Sequence, residues 1–267
     1  MNGRMNEQAM DSIEDLAYLK EFLDEKVVKY NQPNFIESDP IQIPKFFSDK
    51  NNIEIAGFLT ATIAWGNRQT IINSAKNLMQ LMEFQPYDFI LNASKTELST
   101  LNKFVHRTFN GNDCIYFIRS LRNICKNYNG LEEVFLKGFK KSNSVKSSLE
   151  YLYEVFFEIR GERSRKHISN VKTGASGKRL NMFLRWMVRN DKPGIDFGLW
   201  KGIPSSALML PLDVHTGNVG RKLGLLNRKS NDWKAVEEIT TVLRKFDSED
   251  PIKYDFALFG LGVFEKF

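Results

Sequence analysis

The sequence predicts an all-α fold, and three observations carry that prediction. Apolar residues recur at helical spacing along nearly the whole chain. No Asn-Gly or Asp-Gly pair joins two alternating runs, and Asn110-Gly111-Asn112 sits between helical segments. Glycine-containing breaks at 129–130, 160–161, 173–177 and 192–194 punctuate those segments. Taken in order, Leu16, Leu19, Phe22, Leu23 and Val27 form an apolar stripe behind an expected cap at Ser12. Ile53–Trp65 is apolar on nearly every side and predicts a buried central helix, ended by Gly66 and Asn67. Amphipathic helices are then expected at 70–82, 113–128, 131–140, 145–159, 178–190, 214–223, 232–245 and 251–263. The polar, basic stretch Arg160–Thr173 marks a soft boundary. The whole chain, 1–267, reads as a single all-α unit with lobes of roughly 30–165 and 166–267 and an added N-terminal helix.

Bulk properties exclude several classes. With 42% hydrophobic and 26% charged residues among 267, the chain can bury a sizeable core. No apolar run approaches the roughly 20 residues of a membrane helix, and the start MNGRMNEQAM lacks the apolar stretch of a secretory signal. Cys114 and Cys125 are too few for a four-thiolate cluster, and a chain this long needs no disulfide. His106 and His167 have no partners at metal-ligand spacing, and there is no glycine-rich nucleotide loop. No cofactor or metal is expected, and the cytoplasm is the expected compartment, at the nucleoid for a bacterial protein. The net charge of +6 is modest, but nine Lys or Arg against two acids fall between Gly161 and Lys192. That run suits a nucleic acid and equally suits a solvated face.

Two segments hold candidate chemistry. In NVKTGASGKRLNMFLRWMVR, residues 170–189, a glycine turn opens into a helix with Lys178 in its first turn. Free N–H groups at that start form an anion site. Gly174 and Gly177, which lack a Cβ, let a phosphate backbone come close, with Ser176 and Arg179 beside them. A lysine set against the positive end of a helix dipole is a candidate nucleophile, although the segment alone fits a surface lysine too. In LMLPLDVHTGNVGRKLGLL, residues 208–226, Asp213 emerges from an apolar run at a helix start. It reads as an N-cap, and also as a partly buried carboxylate available for catalysis. His215 suits a phosphate contact or a structural place at the helix start. Trp65, Asn67 and Arg68 sit where the central helix breaks, Trp65 fitting either a base-stacking role or the core.

Gly177-Lys178, followed by Leu212-Asp213-Val214-His215 and Arg221-Lys222-Leu223-Gly224-Leu225, resembles the helix-hairpin-helix DNA glycosylase superfamily, which includes endonuclease III and the 8-oxoguanine glycosylases. The likeness is best over 165–263. It is weaker over 53–130, where ATIAWGNRQTIINSAKNLMQLM and LRNICKNYNGLEEVF carry it. The family hairpin, commonly Leu-Pro-Gly-Val-Gly, is replaced here by Asn-Val-Lys-Thr-Gly-Ala-Ser-Gly. Lys178 and Asp213 lie 35 residues apart, through an insertion holding Lys192-Pro193-Gly194 and Leu199-Trp200-Lys201 that resembles the archaeal 8-oxoguanine glycosylase branch. The four-cysteine iron–sulfur loop of endonuclease III is missing.

The resemblance implies two helical lobes with a helix-hairpin-helix element and a cleft between them. It implies a monomer acting on double-stranded DNA with a damaged base, 8-oxoguanine by likeness to that branch. Lys178 would be the nucleophile of a bifunctional glycosylase and β-lyase, with Asp213 as general base and electrostatic stabiliser. Lys178, Asp213, Gly174, Ser176, Gly177, Arg179 and His215 would meet sugar and phosphate, and Trp65, Asn67 and Arg68 would form the lesion pocket or wedge. Two other readings are a monofunctional glycosylase that activates water and a non-catalytic helical module that recognises DNA structure.

Overall fold

The computed structural model describes residues 13–267, so the expected cap at Ser12 lies outside the described residues. The fold is all-α, with one short hairpin. The chain runs through α1 (Ile13–Tyr30), α2 (Phe35–Ser38), α3 (Lys50–Thr62), α4 (Arg68–Leu81), α5 (Pro86–Asn92) and α6 (Lys95–Thr100). A hairpin of β1 (Val105–His106) and β2 (Phe109–Asn110) follows, paired antiparallel with His106 opposite Phe109. Then come α7 (Gly111–Asn127), α8 (Leu131–Lys140), α9 (Val145–Phe156) and α10 (Lys178–Val188). The chain closes with α11 (Val214–Lys222), α12 (Trp233–Phe246) and α13 (Tyr254–Val263).

Capping chemistry sets several of these boundaries. Asp49 accepts the Asn52 N–H at 2.9 Å and starts α3 one turn before the apolar pattern begins. Asn110 and Asp113 form a reciprocal capping box on α7. The helix expected over 251–263 is a 3-10 turn, Pro251–Lys253, running into α13. α5, α6 and the hairpin have no counterpart among the expected elements. Each is shorter than the two turns or four alternating residues that make a period visible. The hairpin reverses through Arg107, held in the left-handed region at φ 55°.

The core joins the two expected lobes. One continuous cluster of buried apolar side chains runs from Leu19 to Leu261. At its centre α3 crosses α10, where the bare face of Gly57 admits Phe183 and Met187. Phe58 and Trp200 both meet Phe183 edge-on, with ring centroids 5.4 Å away in each case. Edge-on pairs of this kind add to the area term of burial. α13 is apolar on nearly all sides and packs between α1 and α11. That closeness depends on Gly260, which lies flat against the Tyr30 ring.

Two arginines, Arg185 on α10 and Arg189 at its C-terminal cap, sit inside the core with acids around them. Arg185 pairs with Asp196 at 3.2 Å and with Asp255, while Arg189 bonds Asp191, Asp196 and Asp250 at 2.9–3.0 Å. A buried guanidinium is tolerable only with such partners. The network ties α10 to α13 and to the insertion that follows α10.

Candidate active site

The segment before α10 is a single 3-10 turn, Val171–Thr173, capped by the Asn170 side chain. The first arm of the expected helix-hairpin-helix element is therefore one 3-10 turn rather than an α-helix. α9 stops at Phe156, and the charged stretch after it offers few apolar residues for a helix to bury. Gly174 closes the turn with φ 94° and Gly177 opens α10 with φ 65°, both left-handed conformations that favour glycine. The two glycines differ in what lies beside them. A Cβ on Gly174 would meet open space, whereas one on Gly177 would meet Val171 and Leu149 at 3.0 and 3.3 Å. Only Gly174 leaves room for an approaching backbone; Gly177 serves internal packing. The Gly174 carbonyl accepts the Trp233 N–H at 2.9 Å, and the Ser176 carbonyl accepts from Asn181 at 3.2 Å, fixing the turn against α12 and α10.

α10 begins with no side-chain cap, so its first N–H groups stay available, and Lys178 is its first residue. Asp213 caps α11, accepting the Thr216 N–H at 2.9 Å, and the Thr216 hydroxyl accepts the Asp213 N–H at the same distance. The two helix starts face one another. Lys178 Nζ lies 3.2 Å from Asp213 Oδ2, the lysine about one-third exposed and the carboxylate mostly covered. Burial pulls the Asp213 carboxyl upward, but the Lys178 ammonium, the Thr216 N–H and His215 together outweigh it and hold it below the ordinary carboxylate range.

The pair lies on a cleft of about 290 Å³, room for a flat heterocycle, at the lower end of the size range of small-ligand pockets. Phe35, Trp65, Met182, Phe256 and Phe259 form its apolar walls, with Pro40 and Pro211. Its polar groups are Asp39, Arg68, Lys178, Arg185, Asp213, His215, Thr216 and Asp255. Asp255 is buried, which raises its carboxyl to about 6 against the pull of Arg185. Asp39 is also raised by burial, with Arg185, Arg68 and Lys178 acting against it.

Among the other expected site residues, Arg68 and His215 do line the cleft, Arg68 with its guanidinium 4.8 Å from the Phe259 ring. Trp65 serves both sides. It borders the cleft and packs on His106 and His167 with ring centroids 5.0 and 5.8 Å away. Asn67 does not line the cleft; its side chain caps α4 by accepting the Thr70 N–H at 3.1 Å. Arg179 departs from its expected place among phosphates. Its guanidinium turns inward, donates to the Thr62 carbonyl and lies 4.8 Å over the Trp65 ring. Burial pushes its pKa down to about 10, still charged at neutral pH.

Asp39, Arg185, Asp255, Phe256 and Phe259 were not singled out from the sequence. Asp255 leaves a readable trace, an acid inside the apolar run YDFALFGLGV. Asp39 leaves none, because Asp before Pro is ordinary turn chemistry. Among the described residues no three His, Cys, Asp or Glu gather as metal ligands, and no helix is long and apolar enough to cross a membrane. A family model described as "Protein of unknown function (DUF2400)" matches residues 39–264. No curated protein and no solved structure matches the chain.

Proposed function

The chain belongs to the DUF2400 family, a family of unknown function, and from its cleft and its resemblance to the helix-hairpin-helix glycosylases we propose that it is a DNA base-excision glycosylase with β-lyase activity on an oxidised purine such as 8-oxoguanine. The observation that carries the reading is the contact between Lys178 and Asp213. Two residues 35 positions apart meet at 3.2 Å, each at the start of its own helix, on the edge of an aromatic-walled cleft. A base stacked in a duplex is out of reach of any side chain, so the substrate nucleotide must swing out into such a cleft. The walls supplied by Trp65, Phe256 and Phe259 suit stacking on a flat ring.

In the proposed reaction the Lys178 ammonium gives up one proton, which Asp213 relays to the departing base, and the freed lone pair bonds to the sugar C1′ as the bond from C1′ to the base breaks. The bonding pair leaves with the base, which takes up that proton. A further proton passes from the lysine nitrogen to the ring oxygen as the C1′–O4′ bond breaks, leaving a protonated Schiff base from which β-elimination cuts the strand. Positive charge grows on the sugar before the new bond is complete. Asp213, held in its ionised form, lies where a negative charge stabilises that state. His215 and the uncapped N–H groups of α10 flank the pair and suit adjoining phosphates.

Borohydride trapping tests the proposal. Duplexes carrying 8-oxoguanine or an abasic site are incubated with protein, with and without reductant. The expected result is a covalent adduct that Lys178→Gln abolishes. Base release without an adduct would leave Lys178 outside the bond-making step and water as the nucleophile. Tight duplex binding with neither would reject the glycosylase reading in favour of a DNA-binding module.

A further inference from the structure

The cleft holds three aspartates, and two of them are committed. Asp213 is bound by Lys178 and by its own helix start. Asp255 is bound by Arg185. Asp39 is different. Its residue is 8% exposed, it lines the cleft, and it forms no ion pair among the described residues. One oxygen, Oδ1, accepts the Ile41 N–H at 3.0 Å as the cap of the 3-10 turn Pro40–Gln42. Among the described residues no donor reaches the other. That oxygen is not sealed from solvent, so a ligand that displaces water from it must supply a donor of its own or leave the carboxyl under-bonded. Phe35, Pro40 and Phe256 are apolar and supply none, and Arg185, Arg68 and Lys178 act on the carboxyl from beyond ion-pair distance.

We propose that Asp39 is the specificity-determining residue of this cleft, and that its free carboxyl oxygen accepts a hydrogen bond from an N–H on the edge of the extruded purine. The proposal rests on the glycosylase reading and names the edge that the site recognises. Lys178 and Asp213 act on the sugar, while Asp39 enters from the loop after α2, on a separate stretch of chain. Base recognition and sugar chemistry are thereby carried by different side chains. A ligand that lacks a base has nothing for Asp39 to hold.

That division gives the test. Asp39→Asn retains an oxygen to cap the turn, since Asn caps as well as Asp, so a merely structural role leaves the variant unchanged. Single-turnover release of 8-oxoguanine is measured for the wild type and the variant, beside borohydride trapping on abasic duplex. The expected result is a roughly 10- to 100-fold loss of release, the scale of one charged hydrogen bond, with trapping on abasic DNA held within about twofold. Release at the wild-type rate overturns the proposal. Loss of release and trapping together also overturns it, because Asp39 would then act on the Lys178–Asp213 pair. A wild type that neither releases base nor traps abasic DNA defeats the glycosylase reading itself. In that case, quenching of tryptophan fluorescence by 8-oxoguanosine decides whether Asp39 binds a purine. Weaker quenching in Asp39→Asn supports recognition by Asp39, and equal quenching overturns it.

Discussion

Asp213 carries two duties that substitution can separate. Its carboxylate caps α11 through the Thr216 N–H at 2.9 Å, and it faces Lys178 at 3.2 Å. Asp213→Asn removes the charge and keeps the cap; Asp213→Ala removes both. Loss of an N-cap costs about 1 kcal/mol. The ion pair adds no more than about 1 kcal/mol, because Lys178 is one-third exposed and solvent screens it. Asp213→Asn is therefore expected to lose up to about 1 kcal/mol and Asp213→Ala about 2 kcal/mol, each kcal/mol shifting Tm by roughly 2–4 °C in a chain of this size. Catalysis divides differently. Both variants lose the charge proposed to stabilise the sugar cation, so base release is expected to fall at least about 100-fold in each. Thermal unfolding followed by circular dichroism, run beside single-turnover excision, reads both quantities on the same preparations. An Asn variant that still excises within tenfold of wild type refutes the electrostatic role. Equal melting of the Asn and Ala variants refutes the capping argument.

Acid should weaken the fold through His167. Its imidazole is buried against Trp65 and Phe109, and burial lowers its pKa to about 4 from an ordinary 6.5. A depressed histidine contributes stability that is complete above pH 6.5 and is lost as pH falls toward 4. For this shift the loss amounts to about 3 kcal/mol. Urea unfolding at pH 7 and pH 5 should show the decline, reduced by the opposing gain as Asp255, raised to about 6, takes up its proton, and His167→Phe should flatten or reverse the slope, with His106, also lowered by burial, adding to what is left. An unchanged slope in the variant would remove His167 from the explanation. At the contact of α1 and α13, Gly260→Ala would place a Cβ 2.1 Å from a Tyr30 ring carbon. The expected cost is about 1–3 kcal/mol of overpacking, read as a lowered Tm; a variant as stable as wild type would show that the Tyr30 ring swings clear.

The sequence by itself determined the all-α class and the extents of the longer helices, because an amphipathic stripe repeated over three or more turns reports the face that must be buried. α8 spans the very residues that its periodicity marks, and α10 and α11 begin where a glycine turn and a capping aspartate place them. The positions of Lys178 and Asp213 at helix starts were legible for the same reason, since helix starts have local signals, whereas their pairing was expected only from the family resemblance. Tertiary structure alone decided the rest. Arg179 reads as a surface cation by its place in the helix, yet the gap left between Thr62 and Trp65 draws it inward. Gly177 reads as a space for phosphate, yet Val171 and Leu149 fill that space. Asp39 and Asp255 reach the cleft from opposite ends of the chain, through the packing of α13 beside α11 and α1. No spacing along a sequence encodes such a meeting, because the distance between them is set by which faces the core brings together.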